Sequence, residues 1–323
     1  MENKYSNKYL IETGIGLQDV DGLKNSSFFL SESEKYIRGE ITLDELDEIV
    51  STYYKNKPEE KERTEEADIV AKRIARIISD DSFSFTVGQF VSIHKQLFDG
   101  LFDHAGKLRT YNFSKKEWVL DDASVLYCDY RLIETTLQYD FDYEKRFSYR
   151  GLSMDEIIDH LSIFVANIWQ IHAFEEGNTR ATAVFIIKYL RSLGFDVTND
   201  IFAKNAWYFR NALVRANYQN LREGVFEDRS FLIAFLRNLL LNENNQLKNR
   251  DLHITVIPQA SGTTRELRII NLIKTNPNIK TNEMASELGV SLRTIKSLLA
   301  TLVNANKIKR VGGKKLGHWE VCE

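Results

Sequence analysis

The sequence predicts a mainly α chain: a helical bundle with one short β excursion, followed by a small module of three helices and a β wing. Three observations carry that expectation. Apolar side chains recur at helical spacing through most of residues 60–240, no strand–helix alternation that would build a parallel sheet is present, and the charge balance reverses after residue 262.

Taken in order, Ile69, Ile74, Ile77 and Ile78 mark one helix, and Phe90, Ile93 and Leu97 mark the next. Ile157, Leu161, Phe164, Val165 and Ile168 mark the clearest one, and Ser153-Met-Asp-Glu156 ahead of them is a capping box that places its start near Ser153. Val184, Phe185, Ile187 and Leu190 belong to a helix that Gly194 is placed to end. Residues from about Tyr111 to Leu120 are the best hairpin candidate. The polar run Asn242–Arg250 and the stretch Pro258–Thr264, with Pro258 and Gly262 as breakers, mark the boundary between bundle and module. Beyond it, Leu267, Ile270 and Ile273 lie on a first helix, Thr281–Leu288 forms a second that stops at Gly289, and a third starts at Ser291. The run Ile308–Trp319 reads as a wing with basic residues at its tip, which completes a winged helix–turn–helix.

Of the 323 residues, 43% are hydrophobic, enough for a sizeable core, and only 3 are proline and 16 glycine, too few for a low-complexity or collagen-like chain. Cys128 and Cys322 are far apart and lack metal-ligand spacing, which argues against a disulfide framework or a cysteine zinc site and suits a reducing compartment. The opening residues hold no apolar signal core and no apolar run is long enough to span a bilayer, so the expectation is a soluble, cytoplasmic chain with no membrane partner. The net charge of −3 hides an asymmetry: residues 263–323 hold eleven basic residues against five acidic, a surplus of six, which leaves the rest of the chain nine units negative.

Between the two clearest helices lies Ile171-His-Ala-Phe-Glu-Glu-Gly-Asn-Thr-Arg180. A short polar loop that feeds a helix N-terminus offers free backbone N–H groups and a favourable dipole to a phosphate. Gly177 allows close backbone approach, Asn178 supplies an amide, and Arg180 presents a fixed fork for phosphate oxygens. His172 titrates near neutrality and has the chemistry of a general base, while Glu175 or Glu176 could hold a hard cation such as Mg²⁺. The parts suffice for transfer from a nucleotide to a hydroxyl. The same residues also compose an ordinary turn, with a histidine that caps a helix or sits at the surface.

The segment His172–Arg180 resembles the signature of the Fic family, His-x-Phe-x-(Asp/Glu)-Gly-Asn-Gly-Arg-x-x-Arg, and matches it at His172, Phe174, Glu176, Gly177, Asn178 and Arg180. His104-Ala-Gly-Lys-Leu-Arg109 with Tyr111-Asn112 resembles the segment before the family's β-hairpin flap, and Tyr208–Leu213 the helix that closes its adenosine pocket. The resemblance spans roughly residues 60–240 and implies a Fic-type helical bundle over residues 59–250, followed by the winged helix at 263–323. It also implies a protein adenylyltransferase, which uses ATP with Mg²⁺ to place AMP on a Ser, Thr or Tyr hydroxyl of a target protein or of itself. In that reading His172 takes the hydroxyl proton and Glu176 binds Mg²⁺. Backbone N–H groups of Gly177–Thr179, with Asn178 and Arg180, hold the phosphates, and Phe174 anchors the loop. Lys116, Trp118 and Val119 belong to a flap whose edge would pair with the target backbone, while a structural hairpin with Trp118 packed inward is the other reading. A homodimer is compatible with the family.

Two positions depart from the signature: Thr179 stands in the third-glycine slot and Ala183 in that of the second arginine. Doc proteins, relatives that also vary this slot, phosphorylate instead, so phosphoryl transfer is the alternative. A third reading is a DNA-binding regulator whose Fic domain is a weakly active sensor. Residues 1–58 resemble the antitoxin-like helical segment of the family, in which a glutamate blocks ATP by pairing with the second arginine. The best register, Ser27–Ser31, puts Ser31 at that glutamate position with Glu32 one residue off, and predicts that no glutamate switch operates. On the third helix of the module, Arg293, Thr294 and Lys296 are the candidates for DNA contact, although winged helices also mediate protein contacts.

Overall fold

The computed structural model describes residues 4–56, 63–221, 223–254, 264–288, 290–312 and 317–322. The linker breakers Pro258 and Gly262, the turn residue Gly289 and the wing-tip lysines Lys314 and Lys315 lie outside them. The chain forms two compact units, Met1–Ile254 and Thr255–Glu323.

In the first unit the helices are α1 (Asn7–Gly16), α2 (Ser27–Ile37), α3 (Leu43–Asn56), α4 (Arg63–Ser79), α5 (Val87–Phe98), α6 (Ile133–Arg146), α7 (Met154–Ile171), α8 (Asn178–Ser192), α9 (Ile201–Ala216), α10 (Ser230–Leu241) and α11 (Asn249–Leu252). The Ser153 capping box forms as expected, with the Ser153 N–H donating to Glu156 Oε2 and the Glu156 N–H to Ser153 Oγ. α8 ends one residue before its C-cap, and Gly194 follows at φ 92°, a left-handed angle that glycine adopts without a Cβ penalty. α8 is buried along almost its whole length and packs on α4, α5 and α7. In α4 the buried face runs through Val70, Ala71, Ile74, Ile77 and Ile78, with Ile69 at its margin.

The N-terminal helices are built into this unit. α1 packs on α4 and α9, so closely that a Cβ on Gly14 would stand 2.2 Å from the carbonyl oxygen of Ala71. Leu10, Ile11, Leu17, Val20 and Phe29 are buried in the common core.

Residues Tyr111–Leu120 do not form the expected strand pair. Their regular part is a single 3-10 turn, Trp118–Leu120. The Glu117 N–H donates to the Ala123 carbonyl at 2.9 Å, and the Glu117 carbonyl accepts from Asp122 at 3.2 Å. Asp121 and Asp122 take left-handed angles of 53° and 66° where the chain turns back after the 3-10 turn.

The second unit has α12 (Thr264–Thr275), α13 (Thr281–Leu288) and α14 (Leu292–Asn304), followed by β1 (Ile308–Val311) and β2 (His318–Val321), which pair antiparallel with Ile308 opposite Val321. Ile269, Ile273, Met284, Ile295, Leu302, Ile308 and Trp319 fill its core, while Leu267 is exposed. This is a winged helix–turn–helix. No helix among the described residues is long and apolar enough to cross a membrane.

Candidate active site

α7 ends at His172, which adopts a left-handed backbone (φ 50°, ψ 57°) and turns the chain into the loop that starts α8. Gly177 caps α8 at φ 75°, and no side chain caps the first turn of that helix. The expected helix start is formed, and its first-turn main-chain N–H groups carry no side-chain cap.

Four side chains, those of Asn178, His94, Arg109 and Phe98, hold the loop. Phe174 is buried, its N–H donates to Asn178 Oδ1 at 2.9 Å, and its carbonyl accepts from Asn178 Nδ2 at 2.8 Å. Asn178 thereby staples the loop across its own turn. His94 of α5 stacks on Phe174 with ring centroids 3.7 Å apart. Its Nδ1 accepts the Gly106 N–H at 2.9 Å, which leaves the proton on Nε2 to donate to the Glu176 carbonyl at 3.0 Å. Arg109, also buried, donates from Nε to the His172 carbonyl at 2.7 Å and from Nη1 to the Tyr111 carbonyl at 2.7 Å. Finally, the Phe98 ring lies so close under Gly177 that a Cβ there would be 2.3 Å from it.

His172 is only 3% exposed, and neither ring nitrogen has a hydrogen-bond partner among the described residues. Burial first, then the neighbouring cations Lys115 and Arg210, push its pKa well below the ordinary imidazole value. The ring is neutral at pH 7, as a base requires. Tyr127 stacks on it, and Phe113 and Trp169 meet it edge-on.

Glu176 is partly exposed and lies 3.2 Å from Lys115 Nζ. Glu175 accepts from the Tyr111 hydroxyl at 3.2 Å and faces His104 at 3.7 Å. No group of three metal-ligating side chains occurs among the described residues. The single carboxylate of Glu176 beside a helix N-terminus fits a Mg²⁺ that takes most of its ligands from elsewhere.

Thr179 and Arg180 are both buried, and their partners lie outside the loop. Thr179 Oγ1 accepts the Trp169 indole N–H at 2.9 Å, which gives the departure from glycine a structural reason. Arg180 is fully buried, ion-paired with Asp21 at 2.9 Å and Glu66 at 2.7 Å, bonded to Gln18 at 3.2 Å, and stacked over Phe98 at 4.7 Å. Contact with distal phosphates would require those pairs to exchange. Ala183 is buried in the core. Glu32 pairs with Lys35 on its own helix at 2.7 Å, and the carboxylates on Arg180 come instead from the turn after α1 and from α4.

In the expected flap, Lys116 and Trp118 are exposed, whereas Val119 is buried and its carbonyl accepts the Ile254 N–H at 2.8 Å. Tyr208, expected at an adenosine pocket, is buried with its hydroxyl on the Phe231 carbonyl at 3.3 Å.

Against this geometry, residues 84–190 match the model of the Fic/DOC family. The chain carries a Fic/DOC domain. The match runs from the approach to α5 almost to the end of α8 and so contains His94, Arg109 and the whole loop. Gln18, Asp21 and Glu66, the partners of Arg180, lie outside the matched Fic/DOC residues, as does Arg210. A second model, described as winged helix-turn-helix DNA-binding, matches residues 263–309. No curated protein matches the chain.

His94 and Arg109 are the loop-holding residues that spacing alone missed as such. The available signal was a histidine in register with Phe90, Ile93 and Leu97, and an arginine two residues before Tyr111.

Proposed function

We propose that the Fic/DOC domain transfers AMP from ATP to a Ser, Thr or Tyr hydroxyl of a target protein or of the chain itself. The observation that carries this reading is His172, neutral, buried and unpartnered at the end of α7, in the loop that leads into the uncapped N-terminus of α8. The hydroxyl oxygen would attack the α-phosphorus, its proton would pass to a ring nitrogen of His172, and pyrophosphate would leave. The Gly177–Thr179 N–H groups would stabilise charge on the phosphoryl oxygens. Glu176 would exchange Lys115 for Mg²⁺, which supplies charge neutralisation at the phosphates. Asn178 would keep the loop in shape, and Arg180 would join the phosphates after release from Asp21 and Glu66. Lys116 and Trp118 would face the target from the flap.

Incubation with ATP and Mg²⁺ followed by intact-mass spectrometry tests it. An AMP adduct on the chain or on a lysate protein, absent in His172→Ala, is the expected result. A phosphate adduct would replace the reading by phosphoryl transfer, which the buried Ala183 and the paired Arg180 would then explain.

For the winged helix we propose DNA binding through α14. Arg293 and Lys296 are exposed on it, and Thr294 joins the Ser291 cap, with their hydroxyls 2.9 Å apart. Arg293→Ala in the full chain should weaken duplex binding in fluorescence anisotropy and flatten its salt dependence. Unchanged binding would point to a protein partner.

A further inference from the structure

His172 has the chemistry of a base but lacks the usual device for aiming one. A histidine base is ordinarily oriented through its second ring nitrogen, held by a carboxylate or a carbonyl. Here both nitrogens are without partners, and the ring is buried among aromatic side chains. Trp169 and Phe113 meet it edge-on, at 5.3 Å and 89° and at 5.7 Å and 64°. Tyr127 alone lies parallel, with centroids 3.9 Å apart and planes 16° from each other. A parallel face at that separation resists rotation of the imidazole, because turning the ring drives its edge into the neighbour.

Tyr127 is itself braced. Its hydroxyl lies 3.4 Å from Glu117 Oε1, a long hydrogen bond. The Glu117 carboxylate is buried and gripped by Arg210 of α9 through two contacts, 2.6 Å to Oε2 and 3.1 Å to Oε1. Arg210 in turn lies over the Trp207 ring at 5.2 Å. A buried ion pair is a poor source of net stability, since desolvation offsets most of the attraction. It is a good source of fixed geometry. The bidentate fork joins the Glu117 turn to α9, and Tyr127 is set between that fork and His172.

We propose that Tyr127 positions His172 for proton transfer by stacking on its ring, and that the Glu117–Arg210 pair holds Tyr127 in that place. The inference rests on His172 acting as the base. Of the groups proposed to react, Tyr127 touches His172, through which it acts, so it is a positioning residue.

The test compares Tyr127→Leu, Tyr127→Phe and Glu117→Gln in the full chain. Tyr127→Leu should lower kcat by about tenfold to a hundredfold with KM for ATP unchanged, the cost of a misaimed group. Tyr127→Phe keeps the stack and should recover most of that loss. Glu117→Gln keeps the shape but weakens the grip of Arg210, and should lower kcat to a lesser degree at constant KM. In NMR, the His172 ring protons, assigned by their loss in His172→Ala, should be shifted upfield by the Tyr127 ring current in the parent and in Tyr127→Phe, and not in Tyr127→Leu. A parent that transfers nothing defeats the proposed function, while the NMR signature still decides whether Tyr127 holds the ring. An unchanged kcat in Tyr127→Leu, or a ring-proton position that does not move, overturns the inference. If Tyr127→Leu fails to fold, an unchanged kcat in Glu117→Gln overturns it.

Discussion

The Arg180 guanidinium stands 2.9 Å from the carboxylate of Asp21, which ties the start of α8 to the turn after α1. Glu66 adds a second carboxylate at 2.7 Å, and the arginine has no exposure to solvent. Two opposite charges make one buried cation tolerable, so each depends on the others. Arg180→Met should therefore destabilise the first unit by about 3–5 kcal/mol, because it removes the shared cation from two largely buried carboxylates. Denaturant midpoints measure this. Glu66→Gln should cost less, since Asp21 remains, and it frees one side of the guanidinium, so ATP binding by calorimetry should tighten. Unchanged affinity would show that Arg180 never reaches the phosphates. Because Glu32 is engaged by Lys35, Glu32→Gly should leave self-modification as in the parent.

Gly177 has no room for a side chain. With φ at 75° and the Phe98 ring 2.3 Å from where a Cβ would stand, Gly177→Ala meets both backbone strain and a clash. A loss of about 2–4 kcal/mol is expected, together with loss of transfer. Adding Phe98→Leu should return part of the stability; a double variant no better than the single one would remove the clash as the cause.

Thr179 tests the departure from glycine. Thr179→Val keeps the volume but leaves the buried Trp169 indole N–H without its acceptor, a cost of about 1–3 kcal/mol. Trp169 fluorescence should shift as its hydrogen bond is lost. An unchanged midpoint would mean that the bond does not matter to the fold.

His94 links acid pH to the loop. Burial pushes its pKa down to about 4, and its Nδ1 must stay unprotonated to accept from Gly106. The unfolded chain takes up the proton near the ordinary value of about 6.5. Between those two values the unfolded state binds more protons, so the contribution of His94 is complete above the upper value and declines as pH falls toward the lower one. The decline is on the order of 3 kcal/mol for a shift of this size. Urea midpoints at pH 7 and pH 4.5 should differ more in the parent than in His94→Gln. Equal differences would place the acid sensitivity elsewhere.

Features set by neighbours along the chain are readable without the fold. The start of α7 follows from Ser153 and Glu156, three residues apart, and the end of α8 from the backbone freedom of Gly194. The loop motif was legible because its chemistry needs specific residue types at fixed spacing, and His172, Glu176 and Gly177 do stand together at the helix junction. Tertiary structure decided what those side chains face. Local pattern allowed a hairpin at Tyr111–Leu120, but Glu117 is drawn into the core by Arg210 and the segment coils into a 3-10 turn. The same holds for Arg180, whose fork suits phosphate and carboxylate alike. Its partners come from α4 and from the turn after α1, and no spacing rule reaches that far. Long-range ion pairs and ring stacks depend on how helices dock, and docking is set by the summed burial of many apolar side chains rather than by any short run of sequence.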